Sequence, residues 1–184
     1  KKLQQHLNNQ AVEFPASRSG AELRILRHIF TPEEAEIATC LSYKFESIET
    51  IYDRAHHLTP SPETLAATLE TILKKGGIEI RKDNGRLRYA IAPLVVGFYE
   101  LQVQRLTPEF VDAFKEYTSD KKFGISFIGT ELPQMRTIPV EKSIRPHHRT
   151  SSFDEVTSLL VESKGPFAIL ECICRKKKAM EGET

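Results

Sequence analysis

Apolar residues recur three and four positions apart up to Lys75, then alternate with polar ones from Ile78 to Ile91, so helices leading into a hairpin are expected. Ala21 to Phe30 carries Leu23, Leu26, Arg27 and Phe30 at helical spacing. Thr31-Pro32-Glu33-Glu34 opens a new helix: Thr31 suits the N-cap, Pro32 the first helical position, and Glu34 completes a capping box. Ile37 and Leu41 continue it. A third helix covers Glu46 to His57 with Ile48, Ile51, Tyr52 and Ala55 on one face. The fourth starts at Ser61 with Pro62 behind it and runs to Lys75 on the stripe Leu65, Leu69, Ile72 and Leu73. Gly76-Gly77 ends it, and Lys74 and Lys75 suit the negative end of its dipole.

The alternating stretch predicts two strands. Ile78-Glu79-Ile80-Arg81 and Arg86-Leu87-Arg88-Tyr89-Ala90-Ile91 flank Asp83-Asn84-Gly85, and Asn-Gly tolerates the positive φ that tight hairpin turns require. Ile78 and Ile80 should then share a face with Leu87, Tyr89 and Ile91. Past Pro93 the pattern changes again. Leu94, Phe98 and Leu101 suggest a helix, and Thr107-Pro108-Glu109 caps another with Phe110, Phe114 and Tyr117 as its stripe. Phe123, Ile125 and Phe127 alternate as a strand would, and Ile138-Pro139-Val140 suits an edge strand because proline cannot donate to a ladder. Ser152-Phe153-Asp154-Glu155 is a capping box for a helix with Val156, Leu159 and Leu160, stopped by Lys164-Gly165-Pro166. The run Phe167-Ala168-Ile169-Leu170 reads as a buried strand.

These elements define an α+β protein. Helices followed by a hairpin, with these lengths over roughly residues 20–92, resemble the winged-helix family. The expected organisation is a flexible N-terminal tail over 1–18, polar with scattered apolar residues, then a winged-helix-like domain over 19–92. A smaller helix–strand unit over 93–184 leads into a Cys-X-Cys-Arg motif.

Composition narrows the class. Hydrophobic residues at 40% and charged residues at 28% are those of an ordinary globular protein, and a net charge of +1 exerts no global pull on nucleic acid or lipid. No apolar run approaches the roughly 20 residues needed to span a bilayer. The first residues hold no hydrophobic signal-peptide core, so a cytoplasmic location is expected. The chain begins at Lys1 rather than Met, which suggests a trimmed chain. Nothing points to hydrolytic or nucleotide chemistry: no Gly-rich phosphate loop or nucleophile elbow is visible.

Three cysteines exclude a disulfide framework. Cys40 sits in a helical pattern, where a small buried hydrophobe is the simplest reading. Cys172 and Cys174 are paired one residue apart, a spacing ill suited to an unstrained disulfide. They lie just ahead of Arg175-Lys176-Lys177-Lys178, whose charge would offset that of thiolates or a cluster. The stretch from Leu132-Pro133-Gln134-Met135-Arg136-Thr137-Ile138-Pro139-Val140 through the helix over 153–163 to Cys172-Ile173-Cys174-Arg175 resembles prokaryotic ferredoxin-type iron–sulfur proteins that carry an N-terminal winged-helix-like region. In that family a Cys-X-Cys-Arg is followed, after a Gly-containing spacer, by further cysteines. Here Cys172, Cys174 and Arg175 match, with Gly182 in the spacer position, and no later cysteine follows. The resemblance implies a full-length electron-transfer parent with a 4Fe-4S cluster and a redox partner protein. It also implies that Cys172 and Cys174 are an incomplete cluster site, and that this chain alone holds no stable cluster.

A second reading starts at the hairpin. Arg81, Lys82, Arg86 and Arg88 crowd the place where winged helices touch the DNA backbone, so a DNA-binding regulator that senses metal or redox state through the cysteine pair is the alternative. Against it, the helix that would read bases opens with Pro62-Glu63, adds Glu70, and offers no Arg, Asn or Gln on its exposed face. Metal-sensing winged helices of the arsenical-repressor type carry Cys-X-Cys on that helix itself, not far beyond it. A plain interaction module is the third reading. The histidine pairs His56-His57 and His147-His148 read as surface residues.

Overall fold

The computed structural model describes residues 1–129 and 152–182. Within them the chain forms α1 (Lys2–Asn8), α2 (Ala21–Ile29), α3 (Pro32–Ala38), α4 (Ile48–Ala55) and α5 (Pro62–Lys74). Strands β1 (Ile78–Asp83) and β2 (Arg86–Ile91) follow, then α6 (Pro108–Thr118), α7 (Lys121–Ile128), α8 (Phe153–Glu162) and α9 (Ile173–Met180). The mixture of helix and strand is α+β.

Helix starts coincide with local chemistry. Thr31 accepts from the Glu34 N–H at 3.2 Å while the Glu34 carboxylate accepts from the Thr31 N–H at 2.8 Å, satisfying two donors that α3 would otherwise leave unpaired. Ser61 and Thr107 cap α5 and α6 with proline in the first helical turn, and Ser152 forms a second capping box at α8. Asn84 (φ 48°) and Gly85 (φ 81°) both take left-handed conformations at the hairpin tip, as a two-residue turn that follows the strands' twist requires. The register pairs Ile78 with Ile91, Ile80 with Tyr89 and Lys82 with Leu87, so the five expected apolar residues share one face. Only the base of that face is covered. Ile78 and Ile91 are buried, whereas Ile80 and Leu87 near the tip are exposed.

Helix α5 packs on α4 and β1. Leu65, Leu69 and Ile72 are fully buried, Leu73 is half-buried, and Ile51 and Ala55 are the buried residues of α4. Glu46 exchanges backbone hydrogen bonds with Tyr89 at 2.9 and 3.0 Å, tying the entry to α4 onto β2. Arg54 then clamps Glu46 with both guanidinium nitrogens at 2.8 and 3.0 Å, which holds the Glu46 carboxyl below its usual range. Behind α5, Gly77 passes so close to Phe30 and Ile72 that a Cβ there would sit 2.6–2.7 Å from them, which restricts the position to glycine.

Five expectations need correction. First, the beginning of the chain is docked rather than a flexible tail: Leu3 and Leu7, four apart on α1, are buried, and so is Phe14. Gln4 donates to the Phe14 carbonyl at 2.8 Å, and the Tyr117 hydroxyl donates to the Pro15 carbonyl at 2.9 Å. Second, α2 buries Ala21, Ile25, Leu26 and Ile29, a face rotated from the Leu23–Phe30 stripe. Third, Leu94 to Gln102 makes two short irregular turns instead of one amphipathic helix, leaving Leu101 exposed while Leu94 and Phe98 enter the core.

Fourth, Phe123, Ile125 and Phe127 lie on α7, not on a strand. Asp120 caps the helix through the Lys122 N–H at 2.8 Å, and the Phe123 and Phe127 rings stack 5.4 Å apart across one turn. Fifth, Phe167-Ala168-Ile169-Leu170 is not a buried strand. It is irregular, Ile169 is 99% and Leu170 87% exposed, and no described residue pairs with its backbone. Ile138-Pro139-Val140 and His147-His148 lie outside the described residues.

The core is continuous across residue 92. Phe14, Ile25, Leu69 and Ile91 belong to the same cluster as Phe98, Phe110 and Tyr117, and α2 packs lengthwise on α6. Among the described residues, no helix is long and apolar enough to cross a membrane.

Candidate metal centre

Helix α9 carries the two thiols at its beginning. Cys172 is its N-cap, with extended backbone (φ −90°, ψ 117°), and its carbonyl accepts the first intrahelical bond from Lys176 at 3.0 Å. Cys172 makes no capping hydrogen bond through its sulfur, but the backbone N–H groups of Arg175 and Cys174 in the first turn hold its pKa below the usual thiol range, with the Arg175 charge adding to the effect. Both thiols are exposed, whereas Ile173 between them is buried in the core at 6% exposure. The residue separating the cysteines is thus turned inward and both sulfurs are left accessible.

The surroundings of α9 are polar and paired. Gln104 donates to the Glu171 carboxylate at 2.8 Å, immediately ahead of the thiols, and Lys176 bonds the same oxygen at 3.2 Å. At the far end Glu181 accepts from Lys177 at 2.6 Å and from Lys115 of α6. Beneath the helix start, Tyr99 stacks on Phe114 at 3.9 Å. Burial, with smaller contributions from Cys174 and Glu100, pushes the Tyr99 pKa up to about 12.

A four-iron cluster takes four thiolates. Among the described residues two exposed thiols, Cys172 and Cys174, stand at this helix start. Cys40 does not join them: it is buried between α3 and α4, its Sγ donates to the Arg54 carbonyl at 3.6 Å, and burial pushes its thiol up. Among the described residues no group of three or more His, Cys, Asp or Glu side chains converges to hold an ion. His56 is engaged with the Asp53 carbonyl through Nδ1 at 2.9 Å, and its ring meets His57 edge-on at 5.8 Å without converging on a shared point.

The register puts Arg81, Arg86 and Arg88 on one face of the hairpin and Lys82 on the other, beside Leu87. Arg81, Lys82 and Arg86 are exposed and Arg88 is half-buried; Asp83 stands opposite Arg86 in the ladder, and the charges of Arg86 and Arg88 reach Glu49 of α4. The exposed face of α5 carries Glu63, Thr64, Glu70 and Thr71. Sequence reasoning missed Ile173, Lys115 and Glu181 as parts of the α9 site. The spacing of Lys177 and Glu181, four apart, was the available signal, while the reach of Lys115 across to Glu181 is a tertiary fact with no local trace. No family model, curated protein or solved structure matches the chain.

Proposed function

We propose that the chain is the N-terminal region of an iron–sulfur electron-transfer protein of the 4Fe-4S ferredoxin type, working in the cytoplasm. In this reading residues 19–92 are a winged-helix-like module for docking or regulation. Cys172 and Cys174 are two ligands of a cluster whose remaining ligands lie outside the described residues. The observation that carries this reading is the pair of exposed thiols flanking the inward-turned Ile173, which leaves both sulfurs open to one incoming group. A bound cluster would supply one-electron chemistry. The chain's own part is to present thiolates, with backbone N–H groups favouring the ionised Cys172 and Arg175 lending positive charge beside it.

The expected outcome is that the 184-residue chain, purified as it stands, is colourless and holds no stable cluster. Protein translated through whatever follows Thr184 should turn brown when iron and sulfide are supplied anaerobically, and Cys172→Ala or Cys174→Ala should lose or damage the cluster. Metal analysis with an absorption spectrum on both proteins decides the matter. One tightly bound zinc and no colour would replace the cluster with a structural zinc site. Neither iron nor zinc in the longer protein, or a stop codon directly after Thr184, would end the electron-transfer reading.

The exposed cations of the hairpin tip favour a second reading, a DNA-binding regulator. Binding through Arg81, Lys82, Arg86 and Arg88 would be backbone-directed, because α5 offers carboxylates and threonines where base-reading side chains would stand. Four phosphate contacts predict a log K against log salt slope of about −3 to −4. Arg86→Ala with Arg88→Ala should weaken binding equally on all sequences and flatten that slope by about 2. Tight, sequence-selective binding at physiological salt would show that this backbone-only mode is wrong.

A further inference from the structure

Two exposed thiols on a short helix bind an ion well only if the helix is held still, since the entropy of ordering two ligands is otherwise lost on binding. Alone, α9 is only 8 residues long, far below the roughly 12–15 at which an isolated helix becomes even marginally stable in water. Its order therefore comes from what it is packed on. Three contacts fasten it at its two ends. Gln104 holds Glu171 just before Cys172, Ile173 enters the core between the two cysteines, and Lys115 of α6 reaches Glu181 just past the helix end. Lys177 shares that carboxylate from within α9 and so closes the latch on the helix itself.

We infer that α6 and the turn before it form a seat for the Cys-X-Cys helix, with Ile173 as the positioning residue that turns both thiols outward and the Lys115–Glu181 pair as the latch. This rests on the ligand reading of Cys172 and Cys174 and adds that residues 99–118 preorganise them. The core-anchored residue lies between the two sulfurs, so a side chain that cannot enter the core frees both at once. The Lys115 side chain is half-exposed and Glu181 lies past the helix end, so loss of this pair should loosen only the far end. Ile173 is thus expected to matter more than the latch.

The test uses the 184-residue chain and cadmium ion alone, a thiophilic probe whose thiolate charge-transfer absorption reports sulfur coordination directly. Amide hydrogen exchange over 176–180 reads the seating independently of any metal. In the unaltered protein, protected amides and cadmium bound by both cysteines are expected. Ile173→Asp should erase the protection over 176–180, leave that of α5 intact, and weaken cadmium at least tenfold, while Ile173→Val retains both properties. Glu181→Gln should weaken cadmium only a few-fold. Ile173→Asp losing protection yet binding cadmium as tightly as the unaltered chain would overturn the inference. So would unprotected amides in the unaltered chain, with the ligand reading left standing if cadmium still binds. Protected amides with no cadmium bound at all would overturn the ligand reading itself and leave α9 as a purely structural helix.

Discussion

Replacing Phe14 by alanine is expected to lower the unfolding free energy by about 3–5 kcal/mol, the range for deleting a buried aromatic ring. The ring is 2% exposed, meets Phe98 edge-on at 6.5 Å and lies 5.0 Å from Tyr117. It is clamped on either side by the hydrogen bonds from Gln4 to its carbonyl and from Tyr117 to the Pro15 carbonyl, so little of the cavity can collapse. Urea unfolding followed by far-ultraviolet circular dichroism measures the effect as a lower midpoint at unchanged slope. Phe153→Ala provides the contrast, because that ring is 84% exposed and its loss should fall within about 0.5 kcal/mol of zero. Equal, small effects at the two positions would mean that the first 18 residues contribute nothing to the fold.

Leu69→Ala is expected to cost about 2–5 kcal/mol by the same measurement. Leu69 is fully buried at the middle of α5, with Leu65 one turn before and Ile72 one turn after, where α5 meets both α4 and the hairpin. Leu73, on the same helix but half-buried, should cost clearly less when truncated, since fewer of its atoms leave water on folding. A Leu73→Ala cost equal to that of Leu69→Ala would contradict the observed orientation of α5.

What could be read from the sequence was whatever local chemistry decides. Thr31, Ser61, Thr107 and Ser152 announce helix starts because each satisfies N–H groups within three residues of itself, and Asn84-Gly85 announces the turn because few other pairs take positive φ. What could not be read was decided at a distance. Phe123, Ile125 and Phe127 alternate like a strand, but an Asp120 cap and the approach of Phe123 to Tyr117 at 5.1 Å favour a helix. Phe167 to Leu170 has a strand's composition and finds no partner among the described residues, and a strand without a neighbour forms no ladder. Leu3, Leu7 and Phe14 were too sparse in a polar stretch to signal docking: α1 finds its place on α2 and α3, and Phe14 finds its place against Tyr117 of the distant α6. At the candidate site the cysteines were visible by spacing. The inward turn of Ile173 was not, because an isoleucine between two cysteines has no periodicity to reveal which way it faces.

The bond from Tyr117 to the Pro15 carbonyl joins positions 102 apart in the chain. A ribosome releases Phe14 and α2 first and the helix that packs on them much later, so until α6 emerges Phe14 and the buried face of α2 lack that cover. Closing so long a loop also slows folding after release, since its entropy is lost before the contact forms. A translational pause ahead of Thr118 would leave a sticky, unfinished chain that invites aggregation, whereas a pause in the stretch that follows would find the first five helices and the hairpin already able to close over α6.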